Sequence, residues 1–230
     1  MLRLASLFTV LALASSPADA KCAMAHLHPK VVTTQPIIAG GGILVATEQV
    51  PYSVKDQGDA NQPTWQLEAN GTKTAPTIDT LAPGLVVYRV TTAGDASLVD
   101  GAKVIARVTA SKGNPATLAA PKVKSIRHDK TLGRRSSAYT IVTLDGAPPA
   151  DAVALVLTDA KGTARSFGLV EGTGPEVTVY EHSRCGVVPN STVESRIGDK
   201  VKVFWVDQSG RVSPASKTTM VSGKTLNAGG

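Results

Sequence analysis

The chain has 230 residues, a formal net charge of +6, 42% hydrophobic residues and only 4% aromatic ones. That length suits one large or two small domains. Val, Thr, Ala, Gly and Pro are plentiful and no dozen-residue window carries apolar residues at helical spacing, which argues against a helical fold and for β-sandwiches.

The first twenty residues read as a cleaved signal peptide. Arg3 gives a positive start, Leu4–Ala14 is an apolar run too short to span a bilayer, and Ala18-Asp19-Ala20 has the small-x-small form of a cleavage site. No second stretch of spanning length follows. The mature chain is therefore expected to be exported, periplasmic or extracellular, with no transmembrane segment. Its charge is uneven: residues 21–115 hold eight Lys+Arg against seven Asp+Glu, whereas residues 116–230 hold fifteen against ten. The two cysteines, Cys22 and Cys185, form an even count in an exported chain and are expected to pair as a disulfide.

In chain order, Val31–Thr34 and Ile43–Ala46 predict short strands on either side of a glycine-rich turn, Gly40–Gly42. Gln49–Asn61 reads as a loop. Thr64–Glu68 alternates, and Asn70-Gly71 predicts a tight hairpin turn with positive φ at both positions before Lys73–Ile78 returns. Asn70-Gly71-Thr72 and Asn190-Ser191-Thr192 also match a glycosylation acceptor. Leu85–Val90, Ser97–Asp100 and Lys103–Thr109 complete a first module over residues 21–111. Ser111–Pro121, with Gly113 and two prolines, reads as a linker (residues 112–121). Lys122–Arg127, Ala138–Leu144, Ala152–Leu157, Arg165–Leu169 and Val177–Tyr180 are strands of a second module spanning residues 122–222. In Lys200–Pro214, Val201, Val203 and Trp205 alternate with Lys200, Lys202 and Phe204, the period of a strand with one buried face. Asp207–Gly210 supplies the turn and Arg211–Ser213 the start of a return strand. Lys217–Val221 is the last strand, and residues 223–230 are expected to be a loose tail. Expected core residues are Val86, Tyr88 and Val104 in the first module, and Ile141, Val153, Leu155, Val201, Val203 and Trp205 in the second.

The strand, Asp-x-x-Gly turn and Ser-Pro of Val203–Pro214 resemble the closing hairpin of immunoglobulin-like and fibronectin type III-like sandwiches. Leu81-Ala82-Pro83-Gly84 running into a strand with Tyr88 resembles the approach to the tyrosine corner of such modules. The resemblance implies an all-β chain of two tandem immunoglobulin-like or fibronectin type III-like β-sandwiches after the signal peptide.

Two clusters are candidate sites. Cys22, Met24, His26 and His28 fall at every second residue, so on an extended strand they share one side. Thioether and imidazole ligands suit copper, and a Cys22–Cys185 disulfide would bring His182 near them. His26-Leu27-His28-Pro29, followed by Pro36 and Gly40-Gly41, resembles the start of copper-resistance periplasmic domains of the CopC type. The spacing and that resemblance together give a copper site of Met24, His26 and His28, with His182 added where the disulfide brings it near. Cleavage after Ala25 rather than Ala20 would leave His26 at the N-terminus, where its amine and ring could chelate the metal. In the alternative, Cys22 staples the N-terminal strand and the histidines are solvated or packed. The second cluster is basic: Lys122, Lys124, Arg127, Lys130, Arg134 and Arg135 around His128. It reads either as a face for anionic lipid, polysaccharide or nucleic acid, or as an edge strand whose lysines block aggregation. Only Tyr139 lies near for base stacking, which argues against nucleic acid.

For catalysis there is no Gly-x-Ser-x-Gly elbow, no His-Glu-x-x-His and no phosphate-cradling loop. The expectation is an exported, non-catalytic structural or binding protein without a cofactor, partnered by another protein or a cell-envelope component. The alternative is a periplasmic copper-binding protein.

Overall fold

The computed structural model describes residues 26–34, 36–38, 40–50, 65–113, 117–132, 137–183 and 194–227. Residues 1–20, expected to be a signal peptide, and Cys22, Met24, Arg134, Arg135 and Cys185 lie outside the described residues.

Every regular element among the described residues is a strand, so the chain is all-β. In order these are β1 (His26–Val31), β2 (Ile37–Ile38), β3 (Gly42–Val50), β4 (Gln66–Ala69), β5 (Thr72–Thr74), β6 (Ile78–Ala82), β7 (Leu85–Arg89), β8 (Gly94–Asp100) and β9 (Lys103–Ser111). The second half carries β10 (Val123–Leu132), β11 (Ser137–Leu144), β12 (Ala152–Asp159), β13 (Ala164–Leu169), β14 (Glu176–Ser183), β15 (Lys200–Asp207) and β16 (Thr219–Asn227). They form three sheets. The first has the order β1-β3-β7-β6, the second β2-β9-β8-β4-β5, and the third β13-β12-β15-β16-β10-β11-β14.

The first sheet is the middle layer, and β3 shows why. Ile43-Leu44-Val45-Ala46 is apolar at every position, so both faces of the strand must be buried. Ile43 and Val45 join Trp65, Tyr88, Leu98 and Val108 in a core against the second sheet. Leu44 and Ala46 face the other way, into a cluster with Leu85 and Val87 of β7. From the second half, Ala154, Val156, Phe167 and Val206 complete that same cluster. The alternate residues Leu155, Leu157, Val201, Val203 and Trp205 turn inward to the core of the third sheet. The outcome is a stack with three buried layers, the middle one shared by both halves. Fully burying a Val, Leu or Phe contributes about 1.5–3 kcal/mol. Exposing Leu44, Leu85, Val87, Val156, Phe167 and Val206 together would then cost about 9 kcal/mol or more, as much as the net stability of a typical domain.

The third sheet curls until its end strands approach. A Cβ built on Gly168 of β13 would stand 2.2 Å from the Thr178 carbonyl oxygen of β14, so only a residue without a side chain fits there. The seven strands thus form one nearly closed, barrel-like sheet. β16 makes this continuity: Thr219 and Met220 pair antiparallel with β15, and Val221–Asn227 then pair parallel with β10. That pairing reaches Asn227, through residues expected to trail as a loose tail.

Several local expectations hold. Asn70 and Gly71 have φ of 53° and 73° in the turn between β4 and β5. Tyr88 is buried against Trp65, with ring centroids 5.7 Å apart. Others need correction. The first strand is His26–Val31 rather than Val31–Thr34, because β3 runs on to Val50 and pairs with it. Pro29 is tolerated there because β1 is an edge strand. Val104 is 40% exposed, where a register shift between Leu98 and Val99 on the partner strand interrupts the alternation. Ile141 is only half-buried; Ala138, Thr140, Val142 and Leu144 take the inward positions of β11.

Arg211–Ser213 is not a full return strand, and a single bridge, Val206 to Val212, remains. Pro214 has no amide to give. The Ser213 and Ser216 hydroxyls instead accept hydrogen bonds from the amides of Trp205 (2.9 Å) and Val203 (3.1 Å).

Candidate functional site

Two places gather polar side chains: the seam where the two halves meet, and the open end of the barrel with its outer face.

At the seam, the turn after β15 reaches into the first half. Asp207 is 1% exposed. Its Oδ1 accepts hydrogen bonds from the amides of Ser209 and Arg211, both 2.9 Å, and its Oδ2 pairs with the Arg211 guanidinium. A turn residue chosen for its short carboxylate thus folds the turn around itself. The turn then presents its own carbonyls outward. Ser209 O accepts from the Gly42 amide at 2.8 Å, and Gln208 O accepts from the Thr33 hydroxyl at 2.6 Å. The same Thr33 hydroxyl accepts from the Leu44 amide at 2.6 Å, and the Thr34 hydroxyl donates to Gln208 Oε1. Gly210 sits at φ 69° with its Cβ direction blocked 2.4 Å away by a Val87 methyl, so no side chain is accommodated. Beside this clasp lies a cleft of about 240 Å³ lined by Pro36, Ile37, Ile38, Asp151 and Arg211.

At the barrel, β10 divides the predicted basic cluster between two environments. Lys122 and Lys124 are exposed. Arg127 is half-exposed and its Nε donates to Asp129 Oδ2 at 3.0 Å. Lys130 points to the other face, where its Nζ donates to Glu194 Oε1 at 2.7 Å. His128, only 4% exposed, is on that inner side as well. Its Nδ1 lies 3.1 Å from the buried Thr140 hydroxyl and its Nε2 lies 3.6 Å from Glu194 Oε1. The six basic residues therefore do not make one patch: three face solvent, Lys130 holds the segment after the Ser183–Glu194 connection, and two lie outside the described residues. The signal was present in β10, where Ile126-x-His128-x-Lys130 continues the inward period.

His26 and His28 lie on β1 and pair in register with Val50 and Glu48. His182 lies on β14 opposite Ala138. Cys22, Met24 and Cys185 are outside the described residues, and with them the expected disulfide and one of the four expected copper ligands. Among the described residues no three His, Cys, Asp or Glu side chains group closely enough to hold a metal ion, and no helix is long and apolar enough to cross a membrane.

Next to β15, Asp199 anchors the turn that starts the strand. Partial burial works against its ionisation. The Arg165 guanidinium at 2.8 Å, the Arg196 amide at 3.1 Å and the charges of both arginines outweigh that and hold the carboxyl below the usual carboxylate range. A depressed folded-state pKa gives stability that is present above the ordinary aspartate pKa and lost as pH falls through the lowered one. Asp199→Asn should accordingly cost about 1 kcal/mol at neutral pH, a charged hydrogen bond discounted for its solvent exposure. The variant should also lose less stability than the parent between about pH 4 and about pH 2. Urea midpoints measured across that range check both; equal acid sensitivity in parent and variant would contradict it.

No protein-family model matches the chain, and no curated protein matches it by sequence. Among solved structures it is similar to one described as the BSP domain of a biofilm-associated protein, at 10% identity and a TM-score of 0.25. The alignment covers 85% of this chain and 29% of that one. At those values the likeness is too distant to carry a function.

Proposed function

We propose that the chain is an exported, non-catalytic structural or binding protein, a stiff pair of immunoglobulin-like or fibronectin type III-like β modules that engages another protein or a cell-envelope component. The observation that supports this most is the shared buried layer of Leu44, Leu85, Val156, Phe167 and Val206. Two modules joined only by a linker reorient freely; two modules sharing a core hold their outer faces at a fixed separation. Such a unit suits a spacer or a presenting surface, with the chemistry in its exposed faces and loops. The signal-peptide pattern of Arg3, Leu4–Ala14 and Ala18-Asp19-Ala20 supports export.

The test is production of the full chain with its own leader, followed by cell fractionation, intact-mass measurement and protease treatment of whole cells. The proposal expects a mature chain starting at Lys21, outside the cytoplasm and partly retained on the envelope fraction. A full-length chain with its leader in the cytoplasm would contradict it.

A further inference from the structure

From the strand order of the third sheet we infer a second-generation basic face, distinct from the one in the linear sequence, that binds an anionic polysaccharide. β10, β16 and β15 are neighbours, and their outward positions bring together Arg127, Lys224, and Lys200 with Lys202; Lys124 joins them because the register shift between Val123 and Ser125 breaks the alternation there and leaves it exposed. Lys200 stands opposite Met220 in register, Ser222 opposite Arg127, and Lys224 opposite Asp129. Neighbouring strands are about 4.8 Å apart and alternate residues about 7 Å apart, so these five cations occupy a continuous area of the barrel wall.

The acids around this face are already engaged. Asp129 is buried, its Oδ2 bound by Arg127 and its Oδ1 without a hydrogen-bond partner among the described residues. Asp159 is held by the Lys161 and Thr163 amides, both at 2.9 Å. Asp199 is taken by Arg165, and Glu194 by Lys130. Lys124, Lys200 and Lys224 are exposed and Lys202 half-exposed, and none of the four makes an ion pair with a described residue. Asp129, Asp199 and Glu194 each have a cation of their own, so the four lysines are left as surface ammoniums whose field is directed outward.

The chemistry of the face selects the class of partner. It is built mainly of lysines, which act as point charges without a fork for a fixed planar group, and so favours a flexible chain of repeating carboxylates or sulfates. Nucleic acid would be held by stacking aromatics as well, and no outward position of β15 or β16 next to these lysines is aromatic except Phe204, which packs into the shared layer. A membrane surface is met by apolar side chains that can enter it; among the described residues this face has two, Met220 at the start of β16 (62% exposed) and Ile197 in the turn before β15 (55% exposed), too few beside four lysines to seat it in a bilayer. This inference rests on the reading of the chain as a binding module and specifies what one of its faces binds.

The experiment uses the full mature chain and immobilised polygalacturonate as the probe, with dissociation constants measured at low and near-physiological salt. The triple variant Lys200→Glu, Lys202→Glu, Lys224→Glu should bind at least about tenfold more weakly, and parent binding should fall steeply with salt. A control of equal charge change on and just beyond the second sheet, Lys73→Glu, Lys103→Glu, Lys112→Glu, should keep parent-like affinity. The glutamine triple variant at the same three lysines supplies the measurement if the glutamate one does not fold. Absence of parent binding at low salt, or equal loss in the control, would overturn the inference. So would tighter binding through the same lysines to double-stranded DNA or to phosphatidylserine-containing vesicles. Envelope retention without glycan binding would sink this inference alone and leave the module reading standing.

Discussion

Asp207→Ala is expected to destabilise the chain by about 3–5 kcal/mol, the scale on which removing one partner of a buried ion pair acts. The carboxylate is almost fully buried and serves two amides and one guanidinium. Alanine would leave those donors without their acceptor, each a desolvation penalty rather than a lost bonus. The effect should extend beyond the turn, because Ser209 and Gln208 carry the bonds to Gly42 and Thr33 in the other half. Urea unfolding of the variant measures the loss. Asp207→Asn, which keeps one acceptor oxygen, should recover part of it. A loss below about 1 kcal/mol for the alanine variant, typical of an exposed pair, would contradict the clasp.

Leu85→Ala should cost about 2–5 kcal/mol, as deletions at fully buried leucines do. Leu85 has no exposure and lies in the shared layer, not in either module's own core. If the layer couples the halves, the cost appears in a single transition of lowered midpoint and unchanged steepness. A parent-like midpoint for one half, with the other shifted, would show that the layer is not coupling them. The same substitution at Leu98, which lies on the second sheet in the core between it and the first, gives the comparison for a core position outside the shared layer.

How far the sequence was readable depends on the range of the interaction. Val201, Val203 and Trp205 announced β15, and Asn70-Gly71 its hairpin, because alternation and turn chemistry are local. The shared layer left a signal too. Ile43–Ala46 and Ala154–Leu157 are uninterrupted apolar runs, and a strand apolar on both faces requires a layer on each side. Nothing in the two runs says that they meet each other. Arg211–Ser213 looked like a strand because serine hydroxyls can take the place of backbone acceptors only once the tertiary path is set.

The basic cluster misled for a related reason. Proximity in sequence grouped Lys130 with Lys124 and Arg127, while strand alternation sends Lys130 inward to Glu194. Proximity in space instead brings Lys224 and Lys200 to Arg127 through a parallel β10–β16 pairing. That pairing joins residues nearly a hundred positions apart, and no local pattern encodes it.

The central claim is that the two halves share a core and behave as one unit. The chain's two tryptophans, Trp65 and Trp205, lie in different cores on either side of the shared layer, which makes them natural reporters. The most direct measurement is urea unfolding followed by fluorescence in the two single-tryptophan variants, Trp205→Phe to watch the first half and Trp65→Phe the second, with backbone circular dichroism on both. Coupled halves give fluorescence and circular-dichroism transitions that coincide within each variant. Fluorescence from either half that completes its change at a urea concentration where the circular dichroism still reports the other half folded would contradict the shared core.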